Sequence, residues 1–510
     1  MSTRSIAVPR SPLSAGRRWA LLATVGSGLL LIALDNSILY TALPTLTAEL
    51  HATGSTALWI INAYPVVMAG LLLGSGTLGD RIGHRRMFLV GLGLFGVASL
   101  GAAFSPTAEV LIAARALLAV GAAAMMPATL ALIRVTFEIE RERNLAIAVW
   151  GSIAVVGAAL GPIVGGVLIE RFHWGSVFLI NVPVVLVAIV ATLCIAPSDA
   201  PDRSKHWDAI SSAQAMLALV GAVFFIKELA HTPPNWPLVA VAALASVVGG
   251  VLFVRRQRRL DDPLLDFVVF RNAAFASGVV AAAATMFAIG GAQLVTTQRY
   301  QLVAGFTPLE AGLLVSTVAI GSLPTALLGG ALLHRIGLRV LIAGGLALAA
   351  VGVLLVLVAM PADGLWLLVG ALLVMGAGLG ATMSVASTAI VTNVSAKRAG
   401  MASSVEEVSY EFGSLTAVTL LGSLLTLVYA MTVRLPDGAP DAAREGLPDA
   451  IAAAAGDPGI LAAAGSAYDT AFTVSMVVLA VVLVAGAAIT GRALRDYGPG
   501  IATSNEHRAG

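Results

Sequence analysis

Charge is scarce in this chain of 510 residues. Asp, Glu, Lys and Arg together make up 11% of it, whereas a soluble domain carries roughly 25%. So few charged side chains cannot cover a water-exposed surface of this size, which argues against a soluble enzyme or adaptor. Cysteine is nearly absent. Cys194 stands alone inside an apolar run, so no internal disulfide and no cysteine-based metal site can form. Neither HExxH nor a P-loop GxxxxGK[ST] occurs, which argues against a zinc hydrolase of that type and against direct use of ATP. The arginines sit in short loops rather than in one patch, so there is no nucleic-acid footprint.

Hydrophobicity takes the place of charge. Apolar residues make up 58% of the chain and mean hydropathy is +0.92. The apolar residues fall in long runs, and a helix of about 20 such residues crosses a ~30 Å hydrocarbon core. Windows of that size give fourteen spans, among them 57–76, 175–196, 403–430 and 469–491. The runs are continuous rather than alternating, which excludes a β-barrel. The 53 glycines suit helices that pack closely in lipid. The first run follows Arg17 and Arg18 as a signal peptide would. It continues into Asp35 and Pro44 without a small-residue cleavage site, so it reads as an uncleaved span.

Lysine and arginine set the orientation. With the N-terminus inside, twenty-four of them fall on the inner side and five on the outer, with Arg115 inside a span. Both termini are therefore expected in the cytoplasm. The expected organisation is a cytoplasmic tail 1–17, a six-helix bundle 18–196 and two inserted helices 209–255. A second six-helix bundle 273–491 and a cytoplasmic tail 492–510 follow. An outer loop, 431–468, interrupts the second bundle; it reads as a solvated hairpin with a short helix around Leu447–Ala455. GTLGDRIGHRR (76–86) and GALLHRIGLRV (330–340) align, with Asp80 opposite His334 and Gly83 opposite Gly337. Duplicated halves are how many transporters are built, with the binding site between them.

Ionisable groups within spans are costly and usually functional. Those present are Asp35, Arg115, Glu406, Glu407 and Glu411. Glu407 and Glu411 are four residues apart and share a helix face. Clustered acids in a low dielectric bind and release protons and attract cations. The plainer alternative is a helix start, with acids in its first turn. Gly157, Gly161, Pro162, Gly165 and Gly166 form GxxxGPxxGG, which permits close helix approach and by itself signals packing. Trp59, Tyr64, Met126, Trp150, Met286 and Tyr410 are candidates for a substrate cavity, since aromatic faces and flexible methionines suit apolar cations.

The segments LDNSILYTALP (34–44), GTLGDRIGHRR, LIAARALLAVGAA (111–123), GAALGPIVGGVL (157–168) and HWGSVFLINVP (173–183) resemble five ordered motifs of the major facilitator superfamily. Together they resemble its fourteen-span drug:proton antiporter branch. SVEEVSYEFG (404–413) is similar to the acid-rich helix of quaternary-ammonium exporters of the QacA and SmvA type. The resemblance implies an all-α integral membrane protein with a major facilitator fold of two six-helix bundles plus two inserted helices. It implies proton or cation coupling through Asp35, Arg115, Glu406, Glu407 and Glu411. Gly76, Asp80, Arg81, Gly83 and Arg85 would belong to a cytoplasmic gate, in which Asp80, Arg81 and Arg85 form a charge clasp. Gly157 to Gly166 would be the antiporter motif. The implied protein works as a monomer in the bacterial inner membrane on proton-motive force, without cofactor or metal. It would export cationic or amphipathic small molecules. Ser322 stands where some members carry an acid, which favours monovalent over divalent cations. Export of a neutral or anionic endogenous metabolite or antibiotic is the alternative.

Overall fold

The computed structural model describes residues 14–199, 201–202, 207–230, 234–260, 263–360, 364–394, 398–454 and 456–497. The helices are α1 (Ala15–Glu49), α2 (Gly54–Ile82), α3 (His84–Ala103), α4 (Ala108–Thr136), α5 (Glu140–Arg171), α6 (Ser176–Leu179), α7 (Asn181–Ile195), α8 (Ala209–Leu229) and α9 (Trp236–Gln257). The second part holds α10 (Ala273–Leu302), α11 (Pro308–Ile336), α12 (Gly345–Ala359), α13 (Leu365–Val391), α14 (Ala399–Thr432), α15 (Leu447–Ala453) and α16 (Pro458–Ala493). No strand occurs among the described residues. Thirteen helices are long and apolar enough to cross a membrane. The bent α2, turning by 61° between Leu72 and Gly74, supplies a fourteenth.

Helix ends differ from the hydropathy windows for local reasons. The expected span 175–196 is broken between α6 and α7. Pro183 has no N–H to donate to Leu179, and its ring presses on that carbonyl. The last helix begins at Pro458, eleven residues earlier than the window at 469. Asp457 caps it, accepting from the Gly459 N–H at 2.7 Å, and proline fits the first helical turn. The outer segment is therefore shorter than 431–468. It carries α15, whose Leu447 and Ala450 are buried. Of the basic residues that set the orientation, Arg4, Arg10, Arg203, Lys205, Lys397 and Arg508 lie outside the described residues.

One apolar core is gathered almost wholly from α1 to α7, and a second from α10 to α16. The α8–α9 hairpin lies outside both, against α2 and α14. In lipid, such helices associate through close packing rather than water exclusion. Glycine makes this possible within the hairpin: a Cβ on Gly249 would sit 2.6 Å from the Ala218 backbone nitrogen.

The two helix groups touch each other mainly at one end. Tyr40 pairs with Ser414 at 3.0 Å, and Asn62 donates to Thr419 at 3.0 Å. Thr297 and Gln301 donate to the carbonyls of Tyr40 and Thr41. Ser316 donates to the Ala159 carbonyl, and the Leu309 N–H to Glu170. Among the described residues, all the hydrogen bonds between the groups lie in the half of the molecule that holds the α1–α2 turn and α15. At the opposite end, which carries the two GxxxxRIGxR loops, none joins them. In hydrogen bonding, the described residues are closed at the first end and parted at the second.

Candidate functional site

Asp35 and Arg115 form an ion pair at the centre of the first core. Asp35 is 2% exposed and Arg115 0%. Arg115 also donates through Nε to the Ile60 carbonyl at 3.3 Å and lies over the Tyr64 ring at 4.7 Å. The other Asp35 oxygen accepts from the Asn181 amide at 3.3 Å. Asn181 starts α7 directly after the break that Pro183 imposes. A buried charge is tolerated only when paired and hydrogen-bonded, and here four helices supply the partners.

The glycine motif builds the wall beside this pair. A Cβ on Gly157 would come 2.7 Å from Ala33, and one on Gly161 would collide with Ser37. Gly165 faces Ile38 in the same way, so three glycines seat α1 on α5. Ser37 donates to the Gly157 carbonyl at 3.4 Å. Gly166 points elsewhere. It faces the backbone of Pro308 and Leu309, while Gly312 abuts the Pro162 carbonyl. The motif therefore joins α5 to α1 on one side and to α11 on the other.

The acids of α14 separate into two environments. Glu406 is 8% exposed and turned toward α13, accepting from Ser387 at 3.1 Å and from the Tyr410 hydroxyl at 2.9 Å. Glu407 and Glu411 are half-buried, and neither accepts a hydrogen bond from a described residue. They lie on the same stripe as Leu415, Thr419 and Gly422, which touch Val66, Asn62 and Leu58 of α2. Glu411 sits one turn below that contact, within electrostatic reach of Arg115, Tyr40 and Tyr64. The stripe thus carries two carboxylates into the space where α2 and α14 part.

At the parted end, Gly83 turns the chain with φ 100°, and Gly337 does the same with φ 84°. Both copies of the repeated loop use glycine where a side chain would be strained. The expected charge clasp is rearranged. Asp80 pairs with His84 at 3.2 Å, not with Arg81 or Arg85. Arg81 is exposed. Arg85 donates through its side chain to the Leu193 carbonyl at 2.7 Å. The carboxylate at the start of α3 belongs to Asp199, which accepts from the Arg85 and Arg86 N–H groups at 2.8 and 3.2 Å. A carboxylate there meets the positive end of the helix dipole. Gly76 stands in open space. Asp199 escaped the sequence reading because it sits in a Pro- and Asp-rich linker that reads as solvated.

A model of the Major Facilitator Superfamily matches residues 25–298 and 273–433. This chain belongs to the major facilitator superfamily. Within the superfamily it stands with the multidrug efflux pumps. It is 37% identical over 505 residues to the multidrug efflux pump LfrA of Mycolicibacterium smegmatis, covering 97% of this chain and 100% of that one. It is 37% identical to the methyl viologen resistance protein SmvA of Salmonella typhimurium, over 83% of this chain and 85% of that one. The tetracenomycin C resistance and export protein of Streptomyces glaucescens is 30% identical, over 84% and 78%. In fold it resembles a bacterial homologue of the human lysosomal transporter Spinster, crystallised inward-facing and unoccupied. The TM-score is 0.65 at 19% identity, over 95% of this chain and 98% of that one. The chain is a multi-pass membrane transporter.

With a superfamily transporter in view, the expected cavity residues divide. Met126, Trp150, Met286 and Tyr410 keep partial exposure, and Trp150 donates to Thr129 at 3.1 Å. Trp59 does not face the space between the halves. It packs on Phe224 at 4.8 Å and under Lys227 at 4.9 Å, both from α8. Tyr64 is fully buried and occupied by Arg115. Both are corrections to the sequence reading: an aromatic in a span reads alike whether it lines a cavity or packs a seam. Ser322 donates to its own helix at Ala319. Its backbone carbonyl lies against Gly380 of α13.

Proposed function

We propose that this chain is a proton-coupled antiporter that exports lipophilic and quaternary-ammonium cations across the bacterial inner membrane. The observation that carries this reading is the pair Glu407 and Glu411, without hydrogen-bond partners among the described residues and within electrostatic reach of each other, with Glu411 also within reach of Arg115. Acids so placed bind either a proton or a cation, and like charges in a low dielectric favour binding one of the two. Competition between proton and cation for one set of carboxylates is the simplest form of exchange. The names of LfrA and SmvA support drug and methyl viologen resistance as the setting.

The parted end, with its basic loops, is the cytoplasmic one in this reading, so both termini are cytoplasmic and the molecule faces inward. A cation enters from the cytoplasm and is held by Glu407, Glu411 and the aromatic and methionine side chains nearby. Rocking of the halves opens the opposite end. Protons from outside then neutralise the acids and release the cation. Proton-motive force drives the cycle, and a single chain suffices.

The test uses protein in oriented liposomes loaded with ethidium, with dye and internal pH followed together after a pH step. The expected outcome is dye movement with opposite proton movement, abolished by Asp35→Asn. Absence of gradient-driven dye movement in folded protein, with transport of a neutral or anionic compound instead, selects the metabolite or antibiotic exporter.

A further inference from the structure

The motif HWGSVFLINVP carries a polar residue deep in a span, Asn181, to which the coupling scheme gives no part. The structure buries it to 1% exposure. Its amide nitrogen donates to Asp35 at 3.3 Å and to the Ser99 hydroxyl at 3.2 Å. Its amide oxygen is buried without a partner. Beside a charged carboxylate the amide must present its NH2 group, because a carboxylate only accepts. The orphaned oxygen is the cost of that arrangement, since an unmet buried acceptor is unfavourable.

We propose that Asn181 is the positioning residue for proton exchange at Asp35, and that its amide turns over with the proton. When Asp35 is charged, Asn181 donates to it. When Asp35 takes a proton, its carboxyl becomes a donor, and the rotated amide accepts from it. Arg115 has donors only and can serve one state alone. The inference rests on the proton-coupling reading above.

The groups that face Asp35 limit the alternatives. Arg115 comes from α4, and Tyr64 and Glu411 act on the pair from α2 and α14. α3 offers Ser99, and α5 offers Gly157 and Gly161 beside this stretch of α1. Of the two groups that hydrogen-bond to the Asp35 carboxyl among the described residues, Arg115 has donors only, and Asn181 carries both a donor and an acceptor.

The experiment uses the full chain in ethidium-loaded liposomes. It reads pH-driven transport, its pH profile, and ethidium exchange without a gradient. Asn181→Leu keeps the volume and removes both functions. Driven transport should fall at least about tenfold, the worth of one hydrogen bond to a charged group, while exchange stays near native. Asn181→Asp sets a second carboxyl beside the first. Two acids sharing one proton hold it more tightly, so the profile should move up by about one pH unit or more. Equal loss of driven transport and exchange in Asn181→Leu, or an unmoved profile in Asn181→Asp, overturns the proposal. If Asn181→Leu fails to fold, the Asn181→Asp profile decides. Asp35→Asn runs beside them. If it still couples, antiport stands but does not run through Asp35, and this inference fails; if the native chain shows no pH-driven transport, the antiport reading itself fails; if Asp35→Asn uncouples while both Asn181 variants behave as native, only this inference fails.

Discussion

Two regions hold the intramembrane charge, and they treat it in opposite ways. In the N-terminal half, Asp35 meets Arg115, and each has further hydrogen bonds. In the C-terminal half, Glu407 and Glu411 have no hydrogen-bond donor and no ion-pair partner among the described residues, and Glu411 feels Arg115 only at a distance. The Asp35–Arg115 pair finds its main partners within the protein, although one Arg115 Nη is buried without a hydrogen-bond acceptor. An unmatched pair of acids is complete only when something binds. The contrast separates a carboxylate met by protein partners from two that are not, and Glu406, which accepts from Ser387 and Tyr410, belongs with the first.

The contrast is most sharply tested by removing one side of the matched pair. Arg115→Met leaves Asp35 buried and alone, which costs about 3–5 kcal/mol. The expected outcome is a large loss of thermal stability in detergent, recovered in part when Asp35→Leu is added. If stability is unchanged, Asp35 was never charged. The next test concerns the acids of α14. Glu407→Gln with Glu411→Gln should lower driven transport by at least about tenfold and leave unfolding unchanged. Glu406→Gln should cost about 1 kcal/mol of stability through its two hydrogen bonds, with transport nearly intact. Reversal of those two patterns would merge the regions again.

Gly166→Ala tests the contact between the halves rather than the charges. The new Cβ meets the Leu309 backbone at 2.5 Å, and overpacking of this kind costs about 1–3 kcal/mol. The expected result is a longer α5–α11 spacing at the closed end, read by spin labels. The smallest effect is expected at α15. Burial and nearby Glu445 raise the affinity of Asp449 for its proton. An acid with a raised value in the folded state contributes its stability below its unfolded value and loses it as pH rises through the folded one. Amide protection across 441–453, measured against the intrinsic exchange rate at each pH, should therefore fall as pH rises above the usual aspartate range, and Asp449→Asn should flatten that dependence.

Much of this was legible in the sequence. Hydropathy alone gave the span number, because lipid leaves the backbone little choice but helix. Asp35, Arg115 and the α14 acids stood out as charges in apolar runs. The repeat foretold two glycine turns. What sequence could not supply was pairing. Nothing in Asn181 announces Asp35, since the two are 146 positions apart and asparagine is polar in many contexts. Trp59 was misplaced because the inserted helix that covers it is remote in sequence. The start of α16 was recoverable: Asp457–Pro458–Gly459 is a helix-start signal that hydropathy windows pass over.

The seam at the closed end is made of neutral hydrogen bonds and one bond to a carboxylate, with no ion pair crossing it among the described residues. Each neutral bond is worth only about 0.5–1.5 kcal/mol net, and any that re-form with water on opening cost less still. Inverting a two-state population from 1:99 to 99:1 takes about 5.5 kcal/mol of differential binding. A seam of this kind is of the same order as the differential binding of one ligand. A ring of salt bridges across it would lock the state, and the molecule would hold its cargo rather than turn over.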